Sequence, residues 1–269
     1  MQAELSETAV QAALTTRWLG RTYVYRPELD STNSTLKAMM AATPPPAGAV
    51  LLADYQTQGR GRLGRRWEAP PGSALLLSVL FRPDWPARQV TWLTMIGALA
   101  VAEAIEALTG LRTGLKWPND VLVEQNGRWR KVSGLLLEGE WGGDDRLLYA
   151  ILGIGINVNV PAAALPAAAT PATSLLAAGG TAVSRLALLG ALLARLEAWY
   201  ETAVGGASPQ PAWQARLLTI GQAVRVTQTG AQAAIVGVAE ATDAWGQLLV
   251  RDAAGILHAI AAGDVTLRS

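Results

Sequence analysis

The sequence predicts an α+β protein: a mixed β-sheet flanked by helices, followed by a small SH3-like β-barrel. Three observations carry this reading. Strongly apolar strand candidates at 74–81 and 147–160 alternate with helix-length apolar stretches such as 91–108. Turn signals at Asn126-Gly127 and Gly142-Gly143-Asp144-Asp145 join neighbouring strands as hairpins rather than as crossovers. After a Gly/Ser/Pro-rich stretch at 205–211 the pattern changes to short strands at 223–227, 233–238, 248–251, 256–259 and 265–268. We therefore expect a larger domain over 1–213 and a barrel over 214–269.

The elements follow in order. Residues 6–20 read as a helix with Leu14, Trp18 and Leu19 inward, then a strand at 22–25. Asp30, Ser31, Thr32 and Asn33 open a helix that runs to about Ala42 and is stopped by Pro44-Pro45-Pro46. Strands at 49–53 and 74–81 enclose a polar loop. The helix at 91–108 carries Glu103 and Glu106 near its end. Strands follow at 111–115, 121–123, 130–138 and 147–160. An Ala/Pro/Gly-rich loop over 161–180 holds a short helix near 174–178, and Ser184 caps a long helix from 185 to about 202.

Composition narrows the chemistry. With 269 residues and 51% hydrophobic content the chain can bury a large core. A net charge of +1 gives no general field for a polyanion, and too few residues precede Asp30 for a helix-turn-helix module, so no nucleic acid is expected. There is no cysteine and one histidine, His258, which reads as an ordinary surface or strand residue. Thiol nucleophiles, a Ser-His-Asp triad and multi-histidine metal sites are thereby disfavoured. The acidic start lacks the features of a secretory signal, and apolar runs such as 147–156 fall short of the roughly 20 residues of a membrane span. We expect a cytoplasmic protein with no membrane partner.

One stretch concentrates unusual chemistry. Residues 59–66 hold three glycines and four arginines, Arg60, Arg62, Arg65 and Arg66, between two apolar strands. Glycine lets backbone approach a ligand, and the arginine fork matches carboxylate and phosphate oxygens. Gly59-x-Gly61-x-x-Gly64 satisfies the dinucleotide pattern, but Ala69-Pro70-Pro71-Gly72 follows where that motif needs a helix. No His-Arg-Asp, Asp-Phe-Gly or Walker sequence accompanies it. An anion-binding loop of another kind is left, with a solvated basic turn as the alternative. Only three of the 22 basic residues are lysines, Lys37, Lys116 and Lys131, so lysine inside a motif points to a need for a compact charge.

Taken in series, Asp30-Ser31-Thr32-Asn33, Gln56 with the Gly-Arg loop, Lys116-Trp117-Pro118-Asn119-Asp120, residues 131–138 and residues 153–159 resemble the biotin–protein ligase family. The resemblance covers nearly the whole chain, including the terminal barrel, and is to the monofunctional type without an N-terminal DNA-binding domain. It implies a class II synthetase-like catalytic fold. It also implies an enzyme that joins biotin to a lysine of a biotin carboxyl carrier protein, of the acetyl-CoA carboxylase type, through biotinyl-AMP made from biotin and ATP with Mg2+.

By that resemblance Ser31, Thr32, Asn33 and Gln56 address the ureido end of biotin, and Gly134 and Leu135 form a wall of its pocket. Arg60, Gly61 and Arg62 close over the carboxylate and the adenylate phosphate, with Arg65 as a further nucleotide contact. Lys116 lies between the reacting groups, so Lys116 and Arg62 are the expected catalytic residues. Trp67, Asn119, Lys131 and Asn157 fall to the nucleotide. The bland readings stay open beside these: capping for 31–33, a core place for Trp67, a solvated strand start for Lys131. Asp120 is a candidate magnesium ligand, but the metal site is unknown. Whether two chains form a homodimer is left open. The alternatives are a lipoate–protein ligase of the same superfamily and a non-catalytic biotin-binding regulator. Octanoyl transferases of that superfamily need a cysteine that this chain lacks.

Overall fold

The computed structural model describes residues 4–143, 146–167, 170–227 and 234–267. Ser6 caps the first helix, α1 (Glu7–Ala13), by accepting the Ala9 amide. The sequence predicts a helix to residue 20, and the structure corrects this. The Glu197 carboxylate accepts the amides of Arg17, Trp18 and Leu19 at 2.8–3.1 Å, so those N–H groups serve a distant side chain instead of a helix. Leu14 and Leu19 are buried all the same, from an irregular segment.

The chain continues through β1 (Tyr23–Leu29), α2 (Thr32–Ala42), β2 (Val50–Gln56), β3 (Ala74–Phe81), α3 (Trp92–Thr109), β4 (Thr113–Lys116), β5 (Asp120–Gln125), β6 (Arg128–Trp141) and β7 (Leu147–Asn157). These strands form one sheet in the order β1-β2-β3-β7-β6-β5-β4. Only β1 and β2 run parallel; the other neighbours are antiparallel hairpins or longer returns. Asn126 and Gly127 both have positive φ, 51° and 72°, as a two-residue turn with the twist of its strands requires. The tip of the next hairpin, 144–145, lies outside the described residues.

The two faces of this sheet differ. On one face α3 and α5 (Arg185–Val204) cover Leu75, Leu77, Leu135, Leu152 and Ile154 in the main core. The approach is close: a Cβ on Gly97 of α3 would stand 2.5 Å from Leu135 and 2.8 Å from Leu152. The helical segment Ala87–Thr109, which includes α3, is long and apolar enough to cross a membrane, contrary to the sequence expectation, but it is mostly buried in this layer. On the other face α2 covers only one end, with Leu36 against Leu51, Leu80 and Ile151.

Beyond β7 come α4 (Leu175–Gly179), α5 and α6 (Gln210–Ala215). Ser174 and Ser184 cap α4 and α5 through their hydroxyls. The Gly/Ser/Pro-rich stretch gives way to α6, capped by Pro209, which buries Trp213 against α3. A second sheet follows from β8 (Ala223–Thr227), β9 (Ile235–Thr242), β10 (Leu248–Asp252), β11 (Leu257–Ile260) and β12 (Asp264–Leu267), in the order β11-β10-β9-β8-β12. It is wholly antiparallel and SH3-like, with no β11–β12 pairing among the described residues. Residues 233 and 268, the expected ends of two strands, lie outside the described residues. His258 sits on β11 bonded to Asp252 at 2.7 Å, and the described residues hold no cluster of three or more His, Asp or Glu that could bind a metal.

Candidate active site

The uncovered end of the α2 face is where the site forms. In the sheet register Gly134 lies opposite Gly155, and Leu136 opposite Gly153; Leu76 and Ser78 of β3 flank the same two rows. Three glycines at adjacent ladder positions leave a floor with no side chains of its own. Above it is a cavity of about 820 Å3, ringed by α2, the Gly-Arg loop, the Lys116–Asp120 turn, residues 166–167, residues 170–172 and the edge of the second sheet. Among the described residues every predicted site residue lines this cavity: Ser31, Thr32, Asn33, Gln56, Arg60, Gly61, Arg62, Arg65, Trp67, Lys116, Asn119, Lys131, Gly134, Leu135 and Asn157.

One end of the cavity is neutral and polar. Ser31 caps α2, accepting from the Ser34 amide at 3.5 Å, and also lines the cavity. Gln56 Oε1 accepts the Thr32 amide at 2.7 Å and its hydroxyl at 3.1 Å. The Nε2 group of Gln56 donates to no protein group among the described residues, which leaves it for a ligand. Gly153 is required here because a Cβ would stand 2.4 Å from Asn33 Oδ1.

The Gly-Arg loop folds back on itself. Gly61 donates to the Arg65 carbonyl at 2.7 Å and Trp67 to the Gly59 carbonyl at 3.0 Å. Any Cβ on Gly59 would meet the Trp67 carbonyl at 2.2 Å. No α-helix starts at Gly64, in keeping with rejection of the dinucleotide motif; a single 3-10 turn spans Arg62–Gly64, with Leu63 exposed at a left-handed φ of 56°. The four arginines diverge. Arg60 makes a two-pronged bond to Glu138, Arg62 donates to Asn119 Oδ1 at 3.1 Å, Arg65 pairs with Asp264 of β12, and Arg66 donates to the Thr57 carbonyl at 2.8 Å.

The opposite end of the cavity is cationic. Lys116 donates to Thr170 Oγ1 at 2.7 Å, and Lys131 pairs with Asp120 at 2.6 Å. Burial lowers the pKa of Lys116 and of Arg62 from their ordinary values, opposed in both cases by Asp120 and Asp264. Desolvated cations held this way favour an incoming anion. Lys131 stands against Gly134, with its ammonium 3.2 Å from where a Cβ would be. That puts it at the predicted wall of the biotin pocket. A solvated strand start does not describe it.

Trp67 lies across the glycine floor. Cβ atoms on Gly155 and Gly134 would come within 2.6 and 2.9 Å of its ring, and Lys131 sits 5.6 Å from its centre. It also packs on Ala69, Ala74 and Leu76, so it is partly core. Its buried Nε1 has no partner among the described residues. Asn157 is buried and donates to the Thr173 carbonyl at 3.0 Å.

Sequence reasoning missed four contributors. Ser78 hides in an eight-residue buried strand, and Glu138 ends an apolar run on β6. Asp264 and Thr266 reach the cavity from the second sheet, a proximity no local pattern encodes. A lone serine amid ALLLSVLF was the one available signal.

With this geometry in place, comparison with known proteins is decisive. Residues 25–157 match the Biotin/lipoate A/B protein ligase family, and residues 219–268 match the Biotin protein ligase C terminal domain. The biotin–[acetyl-CoA-carboxylase] ligase of Mycobacterium tuberculosis is 39% identical over 245 residues, 87% of this chain and 85% of that protein. The chain belongs to the biotin protein ligase family. A ligase of the same name from Paracoccus denitrificans is 37% identical over 233 residues, 84% of this chain and 92% of its own. The bifunctional ligase/repressor BirA of Bacillus subtilis is 39% identical over 156 residues, 58% of this chain but only 46% of BirA, so the match spans under half of that relative. Biotin protein ligase from Aquifex aeolicus, solved in complex with biotin and ATP, superposes with a TM-score of 0.74 at 30% identity over 92% of this chain and 99% of its own. The superposition therefore extends over both the large sheet and the appended second sheet.

Proposed function

We propose that this protein is a biotin–[biotin carboxyl carrier protein] ligase of the AMP-forming type. The observation that carries the reading is one cavity with a neutral hydrogen-bonding end and a desolvated cationic end, joined by a glycine floor on which Asn33, Trp67 and Lys131 rest. A urea needs both donors and acceptors, which Ser31, Thr32 and Gln56 supply. A carboxylate and a triphosphate need fixed cations, which Arg62, Lys116 and Lys131 supply. Lipoate would set an apolar dithiolane against the polar end and leave buried groups unpaired, which favours biotin.

In the first step the biotin carboxylate oxygen attacks the α-phosphorus of ATP and pyrophosphate leaves. Lys116, on a flexible stem and outside salt-bridge reach of any carboxylate among the described residues, follows the charge from carboxylate to phosphoryl oxygen, while Arg62 steadies the same oxygens. In the second step the carrier lysine amine attacks the anhydride carbonyl and AMP leaves. No covalent enzyme intermediate arises, in accord with a chain without cysteine. Asn119, holding Arg62, and Trp67 border the space for the nucleotide. Closure of the Gly-Arg loop over the adenylate would keep water from the anhydride. Asp120 and Asp264 are engaged by Lys131 and Arg65. That donor set suits a magnesium ion that enters with the nucleotide and keeps its phosphate and water ligands. ATP use and the lack of cysteine accord with the cytoplasm.

Incubation with biotin, Mg-ATP and a purified biotin carboxyl carrier domain tests the reading. Biotin on the carrier lysine, detected by streptavidin shift, is expected. Lipoate loaded onto a lipoyl domain instead would overturn the substrate; binding of biotin without transfer would leave a regulator.

A further inference from the structure

Asn33 is fully engaged inside the protein. It is 3% exposed, its Oδ1 accepts from Ser78 at 2.5 Å, and its Nδ2 donates to Glu138 Oε2 at 2.8 Å and to the Leu136 carbonyl at 3.3 Å. Both amide hydrogens are committed, so Asn33 has little left with which to hold a ligand. Ser78, itself fully buried, also shares a 2.7 Å hydrogen bond with the Thr32 hydroxyl. The pair Thr32–Asn33 is thus braced from the sheet.

The other side of Glu138 leads to the loop. Its Oε1 accepts from Arg60 Nη2 at 2.7 Å and its Oε2 from Arg60 Nη1 at 3.2 Å, while Nη1 also donates to Ser34 at 3.2 Å. Arg60 and Arg66 face each other as a β-bridge at the mouth of the loop, so this fork sets where the loop starts. A two-pronged pair of this kind fixes orientation as well as distance.

We infer that Glu138 is a positioning residue that ties the root of the Gly-Arg loop to the start of α2, with Arg60 and Asn33 as its two partners and Ser78 as a brace. This rests on the reading that Thr32 and Gln56 meet the ureido group. Arg60 then acts as an anchor and leaves the phosphate to Arg62.

A double-mutant cycle tests this with the full chain. Biotin Kd is measured by calorimetry without nucleotide, and ATP KM by pyrophosphate exchange at saturating biotin, for wild type, Glu138→Gln, Arg60→Ala and the double variant. Both side chains are partly exposed, and thermal melting verifies that each variant folds. Each single change is expected to raise biotin Kd about tenfold, the double no more than either, with ATP KM within about twofold of wild type. Single changes without effect on biotin Kd, or a double that multiplies to about a hundredfold, overturn the inference. So does Arg60→Ala raising ATP KM with biotin Kd unmoved. Wild-type protein that binds no biotin overturns the functional reading, and this inference with it.

Discussion

Leu152 and Gly153 are neighbours on β7 that face opposite sides of one sheet. On the Leu152 side α3 closes so tightly that Gly97 has no room for a Cβ. On the Gly153 side the missing Cβ admits a polar side chain, and Gly134 and Gly155 do the same for Trp67 and Lys131. Glycine on the first face lets a helix reach the sheet; on the second it lets function reach the backbone. The alternation of strand side chains is what allows one strand to serve stability and recognition at once.

The largest effects belong to the cationic end of the second face. Lys116→Ala and Arg62→Ala should each slow adenylation by about 10²–10³-fold, the usual cost of one fixed charge-stabilising group, measured as kcat for pyrophosphate exchange. Gly153→Ala forces Asn33 off the floor; about 2 kcal/mol of stability and tenfold or more in biotin affinity should go together. Its neighbour should separate the two quantities. Leu152→Ala is expected to cost about 3 kcal/mol in urea unfolding while biotin Kd stays within twofold. Equal loss of biotin affinity in both variants would break the division between the faces.

Glu197 offers a smaller, pH-dependent effect away from the site. Burial opposes its ionisation, but the amides of Leu19, Arg17 and Trp18 outweigh that and hold its pKa below the ordinary 4.5. Its folded pKa therefore lies below its unfolded one. The stabilisation is present above the unfolded pKa and is lost as pH falls through the folded one. Glu197→Gln should cost about 2 kcal/mol at neutral pH and flatten the acid limb of a stability–pH curve. The smallest expected change is for Asp264→Ala: the exposed pair with Arg65 contributes less than about 1 kcal/mol, checked by the same unfolding measurement.

Much of the site was legible because its parts are short runs: the α2 start, the Gly-Arg loop and Lys116–Asp120 each bring several groups together by local geometry. The Asn126-Gly127 hairpin, the short helix near 174–178 and the cap at Ser184 were legible for the same reason. What the sequence hid depends on distant partners. Apolar spacing through Leu14, Trp18 and Leu19 suggests a longer helix, and only Glu197, nearly 180 residues on, explains why α1 stops. α6 was masked by its own prolines, though Trp213 needed a buried place. The pairing of Arg60 with Glu138, 78 residues on, is another distant partnership that no local pattern shows.

The central claim is that the two ends of this cavity act on one biotin molecule to activate its carboxylate. ATP–pyrophosphate exchange with purified protein and magnesium, run with biotin, lipoate or octanoate in wild type and Lys116→Ala, tests it most directly. Exchange that requires biotin and falls by orders of magnitude in the variant is the predicted result. Exchange driven by lipoate, or undiminished in Lys116→Ala, would contradict the account.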